Sequence, residues 1–199
     1  VRVRGPALRA AALAFSLVAA TAASGAAAPA ATPRVPVKVL AVHPHDPGAF
    51  TQGLLSHAGR LYESTGQEGR SRLREVDPAT GGVLREVALP RPEFGEGLAL
   101  AGDRLFQLTW RDGLAHVWTL ASFARIATYR YEGEGWGLAW DGAALIQSDG
   151  SNQLTFRSAE DFSVLRTLRV SRDGVAVAYL NELEYVEGAI YANVWMSDE

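Results

Sequence analysis

Glu96 is the residue of this chain best placed to do chemistry. It stands in Phe94-Gly95-Glu96-Gly97-Leu98, a carboxylate between two glycines, with an aromatic before it and the apolar Leu98-Ala99-Leu100 after it. Glycines on both sides let backbone or ligand approach closely, so this acid is expected to be partly desolvated. Desolvation lifts a carboxyl from roughly 4.3 toward neutrality, where one group can both take and return a proton. Three other places carry a related pattern with a different residue in that station: Gln52 before Gly53, Trp136 before Gly137, and Asn181-Glu182 before Leu183.

Those stations mark a repeat. Gly53-Leu54-Leu55 is followed, eight residues on, by Leu61-Tyr62-Glu63-Ser64. At the same interval Gly97-Leu98-Ala99 leads to Leu105-Phe106-Gln107-Leu108, and Gly137-Leu138-Ala139 to Leu145-Ile146-Gln147-Ser148. A looser copy joins Leu183-Glu184-Tyr185 to Tyr191-Ala192-Asn193-Val194, so the units start at 53, 97, 137 and 183. Turn residues separate each pair: Ala58-Gly59, Gly102-Asp103, Asp141-Gly142 and Glu187-Gly188. Two further short strands follow, as in Leu73–Val76 and Val83–Val87.

Four short strands in about 40–45 residues is the period of a propeller blade. A β-sandwich also turns every 8–12 residues, but it does not account for one internal spacing recurring four times. The fold class is therefore read as all-β, a β-propeller. The first strand of each blade lines the central channel, so Gln52, Glu96, Trp136 and Asn181-Glu182 are expected to converge on one mouth. Polar and aromatic groups converging on a concave mouth make a ligand site. Phe50 and Phe94 lie two residues before Gln52 and Glu96, and Trp110 and Trp195 lie at or just past the end of a second strand. Trp118 and Trp140 fall inside strand patterns and read as core. The loop His43-Pro44-His45-Asp46-Pro47-Gly48 reads as a turn, its two histidines and one aspartate being a poor metal-ligand set. His57 and His116 have no serine or cysteine partner pattern.

The chain ends bear on organisation. Arg2, Arg4 and Arg9 precede the apolar run Ala10–Ala23, with small residues after it, so residues 1–30 are expected to be a secretory signal peptide and the protein secreted or periplasmic. Residues 31–199 are read as the propeller domain, C-terminally incomplete. Val37–Val42 is expected to be the outer strand that closes the ring, three full units run from about 50 to 171, and the fourth begins near Asn181. That makes about three and a half blades. There is no cysteine, so no disulfide helps hold the fold. The first thirty residues carry three of the 19 basic side chains and none of the 22 acidic ones. The remainder is thus net acidic, which argues against nucleic acid or an anionic membrane as partner.

The motifs then resemble a family. Phe50-Thr51-Gln52-Gly53-Leu54, Tyr62-Glu63-Ser64-Thr65-Gly66, Phe94-Gly95-Glu96-Gly97-Leu98, Leu108-Thr109-Trp110, Gly135-Trp136-Gly137-Leu138, Ser148-Asp149-Gly150-Ser151, Asn181-Glu182-Leu183-Glu184-Tyr185 and Asn193-Val194-Trp195 look like the plant and bacterial glutaminyl cyclases, or glutamine cyclotransferases. The resemblance covers Val37 to the chain end. It implies a five-bladed propeller that turns N-terminal glutamine of peptides into pyroglutamate with release of ammonia, and it implies no cofactor or metal. Glu96 falls on the family's proton-shuttling acid. Phe50, Gln52, Phe94, Trp110, Trp136, Asn181 and Trp195 fall on its substrate pocket. The resemblance also implies a lysine from a later blade, which Lys38 does not match.

The residues suit that chemistry on their own terms. The α-amine, with a pKa near 7.7–8.0, is partly neutral at working pH. Cyclisation then needs a curled substrate, a place for charge on the carbonyl oxygen and a proton for the departing ammonia. Indole or amide donors from Trp110, Trp136 or Gln52 are candidates to bind the oxyanion. The rival readings are a non-catalytic propeller that binds a peptide or sugar through its aromatic mouth, and a quinone-dependent propeller oxidoreductase, whose expected basic and metal-binding residues are missing.

Overall fold

Short apolar stretches punctuated by positive-φ turns fold here into antiparallel meanders, one per repeat. The computed structural model describes residues 36 and 38–197; the expected signal peptide, residues 1–30, lies outside the described residues. The first blade is β1 (Thr51–His57), β2 (Arg60–Thr65), β3 (Arg72–Val76) and β4 (Val83–Ala88), paired in that order. The second is β5 (Gly95–Ala101), β6 (Arg104–Thr109), β7 (Leu114–Thr119) and β8 (Arg125–Arg130). The third is β9 (Leu138–Trp140), β10 (Leu145–Gln147), β11 (Gln153–Arg157) and β12 (Val164–Arg169). A small hairpin, β13 (Ser171–Arg172) with β14 (Val175–Ala176), precedes the fourth unit, β15 (Leu180–Val186) with β16 (Ala189–Val194). Ala58 and Gly59, and likewise Glu187 and Gly188, both take positive φ, the demand of the tight two-residue hairpin turn that matches strand twist.

The cores lie between blades, as a propeller requires. Leu73 and Tyr62 of the first blade pack with Leu98, Leu105 and Trp118 of the second. Phe106, Leu108 and Val117 of the second meet Leu138, Leu145 and Phe162 of the third. Ile146, Leu154 and Phe156 of the third cover Leu180 and Leu183 of the fourth unit. Trp118 is buried in the first of these wedges and Trp140 packs against the second. Each wedge thus binds one sheet face to the next, and the outer strands are left to solvent: every residue of β12 is exposed.

At the inner edge the repeated glycine has one use, close approach. A Cβ on Gly53 would sit 2.6 Å from the backbone nitrogen of Leu98, and one on Gly97 would sit 2.5 Å from the Trp136 carbonyl oxygen. One on Gly137 would collide with the Asn181 carbonyl. The innermost strands therefore cross backbone to backbone, and Gly97 N donates to Trp136 O across the gap at 2.6 Å. Side-chain bonds reinforce the contact, Gln107 Nε2 to Ser64 Oγ at 2.8 Å and Ser148 Oγ to Asn181 O at 2.7 Å.

Two expectations need correction. Lys38–Val42 forms no strand. Val39, Leu40 and Val42 are exposed and no described strand runs beside them; extended apolar residues become a strand only where another edge supplies the ladder. The β13–β14 hairpin, conversely, was not expected, because four ladder residues leave no periodic signature.

Candidate active site

Phe50, Gln52, Phe94, Glu96, Trp110, Trp136, Asn181 and Trp195 line one cavity of about 320 Å³ at the end of the inner strands. The eight residues named as acid and pocket are thus brought together, whereas Glu182, expected at the same mouth, is not in the lining. The volume falls in the range of small-molecule pockets, ~300–1,000 Å³, and the lining has their usual character of apolar walls with a few polar groups.

Irregular backbone aims those polar groups. In β1 the ladder slips between Thr51 and Gly53, at Gln52. In β5 it slips between Gly95 and Leu98, at Glu96 and Gly97, and in β15 between Leu180 and Leu183, at Asn181 and Glu182. β9 starts only after Gly137, so Trp136 precedes the ladder altogether. A bulge places two residues opposite one and turns a side chain out of the pleat. At every blade the departure from regular pairing falls on the cavity residue.

Glu96 is 7% exposed and is the only carboxyl among the lining residues. Burial, with a smaller contribution from the negative charge of Glu134, pushes its pKa up to about 9. Its carboxyl is therefore protonated at neutral pH. Behind it, Glu182 is also buried at the carboxyl: Oε1 accepts from Leu54 N at 3.4 Å, and Oε2 has no partner. Burial holds Glu182 well above the ordinary carboxylate range as well, and a neutral acid is what an unpaired buried oxygen calls for.

The walls form an arc of aromatic rings. Phe50 meets Phe94 edge to face at 6.0 Å, and Phe94 tilts against Trp110 at 5.6 Å. Trp136 meets Trp195 edge to face at 5.7 Å, and Trp195 meets Tyr179 at 6.2 Å. Two glycines are seats for these rings. A Cβ on Gly66 would enter the ring of Phe94, and one on Gly150 would lie 2.6 Å from the Trp136 indole. The repeat itself marks the position: Gly66 and Gly150, and the wall ring Trp110 between them, each follow their blade's inner glycine by the same interval. Near the start of the arc, His116 is buried and bonds Glu93 Oε2 at 2.6 Å, next to Phe94 in the chain.

One expected role changes. The indole nitrogens of Trp110 and Trp136 both donate to Glu134 Oε2, at 2.8 and 2.9 Å. Their N–H groups are engaged by a carboxylate and not held open for an oxyanion. The side-chain amides of Gln52 and Asn181 remain as neutral donors in the lining. The loop histidine and aspartate likewise have protein partners: His45 bonds Glu63 at 2.8 Å and Asp46 accepts from Arg74 at 3.0 Å.

A family model described as glutamine cyclotransferase matches residues 10–199. The glutaminyl-peptide cyclotransferase of Arabidopsis thaliana is 43% identical over 165 residues, 81% of this chain and 51% of that protein. The crystal structure of Myxococcus xanthus glutaminyl cyclase superposes with a TM-score of 0.73 at 41% identity, over 78% of this chain and 66% of that one. The chain thus spans about half the length of the curated relative. The structure of RRP9 WD40 repeats, at 13% identity and a TM-score of 0.52, covers 70% of this chain and 43% of its own, and shares the fold alone.

Proposed function

The chain belongs to the glutamine cyclotransferase family, and from that premise we propose that the cavity binds the N-terminal glutamine of peptides and closes it to pyroglutamate with release of ammonia. The observation that carries this reading is the burial of a single protonated carboxyl, Glu96, among the aromatic walls. The ring faces hold the glutamine curled, so that its α-amine reaches its own side-chain amide carbon. Holding such a near-attack geometry is worth several kcal/mol, with a ceiling of roughly 7–11.

The step balances on one carboxyl. The neutral α-amine attacks the amide carbon, a C–N bond forms, and the carbonyl oxygen takes the negative charge. The Gln52 or Asn181 amide N–H stabilises that charge. Glu96 gives its proton to the amide nitrogen, the C–N bond to it breaks and ammonia leaves. The carboxylate of Glu96 then takes the extra proton of the new ring nitrogen, which restores the starting state. The reading requires no metal at any step.

Incubating the full-length gene product with a glutamine-initiated tripeptide tests it. Ammonia and pyroglutamyl product in equal amounts are expected, with no ammonia from a tripeptide initiated by asparagine, whose shorter side chain would close a strained four-membered ring. Tight binding with no turnover, abolished by Trp136→Ala, would instead mark a peptide-binding module. We also propose that residues 1–30 direct export. Expression in a bacterium should give a periplasmic product whose mass begins between residues 25 and 32; an intact N terminus in the cytoplasm contradicts this.

A further inference from the structure

The aromatic arc has one break, and a carboxylate spans it. Phe50, Phe94 and Trp110 pack in sequence, as do Trp136, Trp195 and Tyr179, but no ring contact joins Trp110 to Trp136 among the described residues. Trp110 follows the second strand of the second blade, whereas Trp136 precedes the first strand of the third. Glu134 lies on the segment between these blades, and a single oxygen of it accepts both indole N–H groups. Its other oxygen accepts from Arg111 Nε at 3.3 Å, and the Arg111 guanidinium lies over the Trp110 ring, 3.6 Å from its centre. Arg111 and Glu134 together hold Trp110 from one face and one edge.

We propose that Glu134 is a positioning residue for the substrate cavity: it ties Trp110 to Trp136, fixes the angle of both rings, and so shapes the wall across the boundary between two blades. Two consequences follow from the bonds. The polar edges of both indoles are occupied by Glu134, which is not itself in the lining. What the cavity receives from Trp110 and Trp136 is ring surface, so discrimination among amino-terminal side chains falls to Gln52, Glu96 and Asn181. A bond from an N–H to an ionised acceptor is about twice as strong as a neutral one, and two of them converge here. The indoles are thereby fixed before substrate arrives, which removes part of the ordering cost of binding.

This rests on the peptide reading for its affinity effects and on geometry alone for the tie, so the experiment has an arm for each. In the full-length protein labelled with ¹⁵N-tryptophan, two indole N–H resonances should lie far downfield and exchange slowly. Glu134→Ala should move both upfield and weaken tripeptide affinity, read as KM or as Kd by calorimetry, about tenfold, with kcat changed less than about threefold. Glu134→Gln keeps an acceptor oxygen and should hold affinity within about threefold of wild type. Unmoved resonances or affinity within about twofold in Glu134→Ala overturn the proposal. So does Glu134→Gln weakening affinity at least about tenfold, since charge and not the tie would then be at work; this variant decides the matter if the alanine variant does not fold. A wild type that binds tripeptide without releasing ammonia sinks the catalytic reading and leaves both arms intact.

Discussion

Glu96 carries two consequences of its burial that can be measured separately. In the proposed cyclisation Glu96 must hold its proton in the free protein, and the free substrate amine must have lost one. The pH profile of kcat/KM should therefore rise through the amine pKa near 8 and fall as Glu96 ionises near 9, a narrow bell on the alkaline side. An activity plateau from pH 5 to 7 that falls before pH 8 would contradict this assignment. In stability the sign is the opposite of a salt-bridged acid. The folded-state pKa lies above the unfolded value of 4.5, so stability is lost as pH rises between the two. Glu96→Gln removes that loss. It should melt close to wild type at pH 5 and be more stable at pH 8 by a few kcal/mol, on the order of 2–5. Glu96 was legible in the sequence from its flanking glycines. Glu134 carries the same mark, standing between Gly133 and Gly135, but it is off the repeat station. Only coordinates reveal that two indoles from different blades share its oxygen.

The inner strands explain why the site appears where it does. A glycine holds each neighbouring pair together, and β1, β5 and β15 break their ladders at the residue that faces the cavity, while β9 begins just after it. The glycine spacing was readable because steric exclusion recurs at a fixed register. The bulges were not, since a bulge is a slip between two strands and neither strand alone encodes it. Gly97→Ala tests the packing half of this account. The new methyl meets the backbone of Trp136, Gly137 and Leu138 at 2.5–2.6 Å, and backbone cannot swing aside as a side chain can. A loss of roughly 1–3 kcal/mol is expected, with a fall in activity greater than the stability loss explains, because Glu96 and Trp136 both move. Unchanged denaturant midpoint and turnover would show that the blades have room to spare. Lys38–Val42 shows the limit of propensity: its apolar residues fit a strand, and no described strand pairs with them.

On the scale of the whole molecule, the wedges between blades hold the sheets together. Phe162 is almost fully buried and stacks on Phe106 and Tyr129. Phe162→Ala should cost about 3–5 kcal/mol, and in a chain with no disulfide nothing covalent offsets it; a shift of under about 1 kcal/mol would show that this wedge is not continuous. Several acids also act in concert. Glu96 and Glu182, buried at the carboxyl, are raised, burial being the chief cause, and the more exposed Glu184 is raised by partial burial, so the folded state binds more protons than the unfolded one above pH 4.5. Glu134, held low by its indole and arginine partners, loses its contribution only in more acid solution. The melting temperature should therefore peak near pH 5 and decline toward pH 9. The repeat that made the blades legible is also what gathers Gln52, Glu96 and Trp136, since equal stations in successive blades meet at the axis; in the fourth unit the equal station is Glu182, and the residue before it, Asn181, lines the cavity instead.

The most direct test of the central claim is ammonia release from a glutamine-initiated tripeptide by full-length wild type and by Glu96→Gln, with tripeptide affinity measured in parallel. Wild type should turn over, the variant should lose at least about 100-fold in kcat, and affinity should stay within a few-fold because the aromatic walls are untouched. Near-wild-type turnover by Glu96→Gln would contradict it.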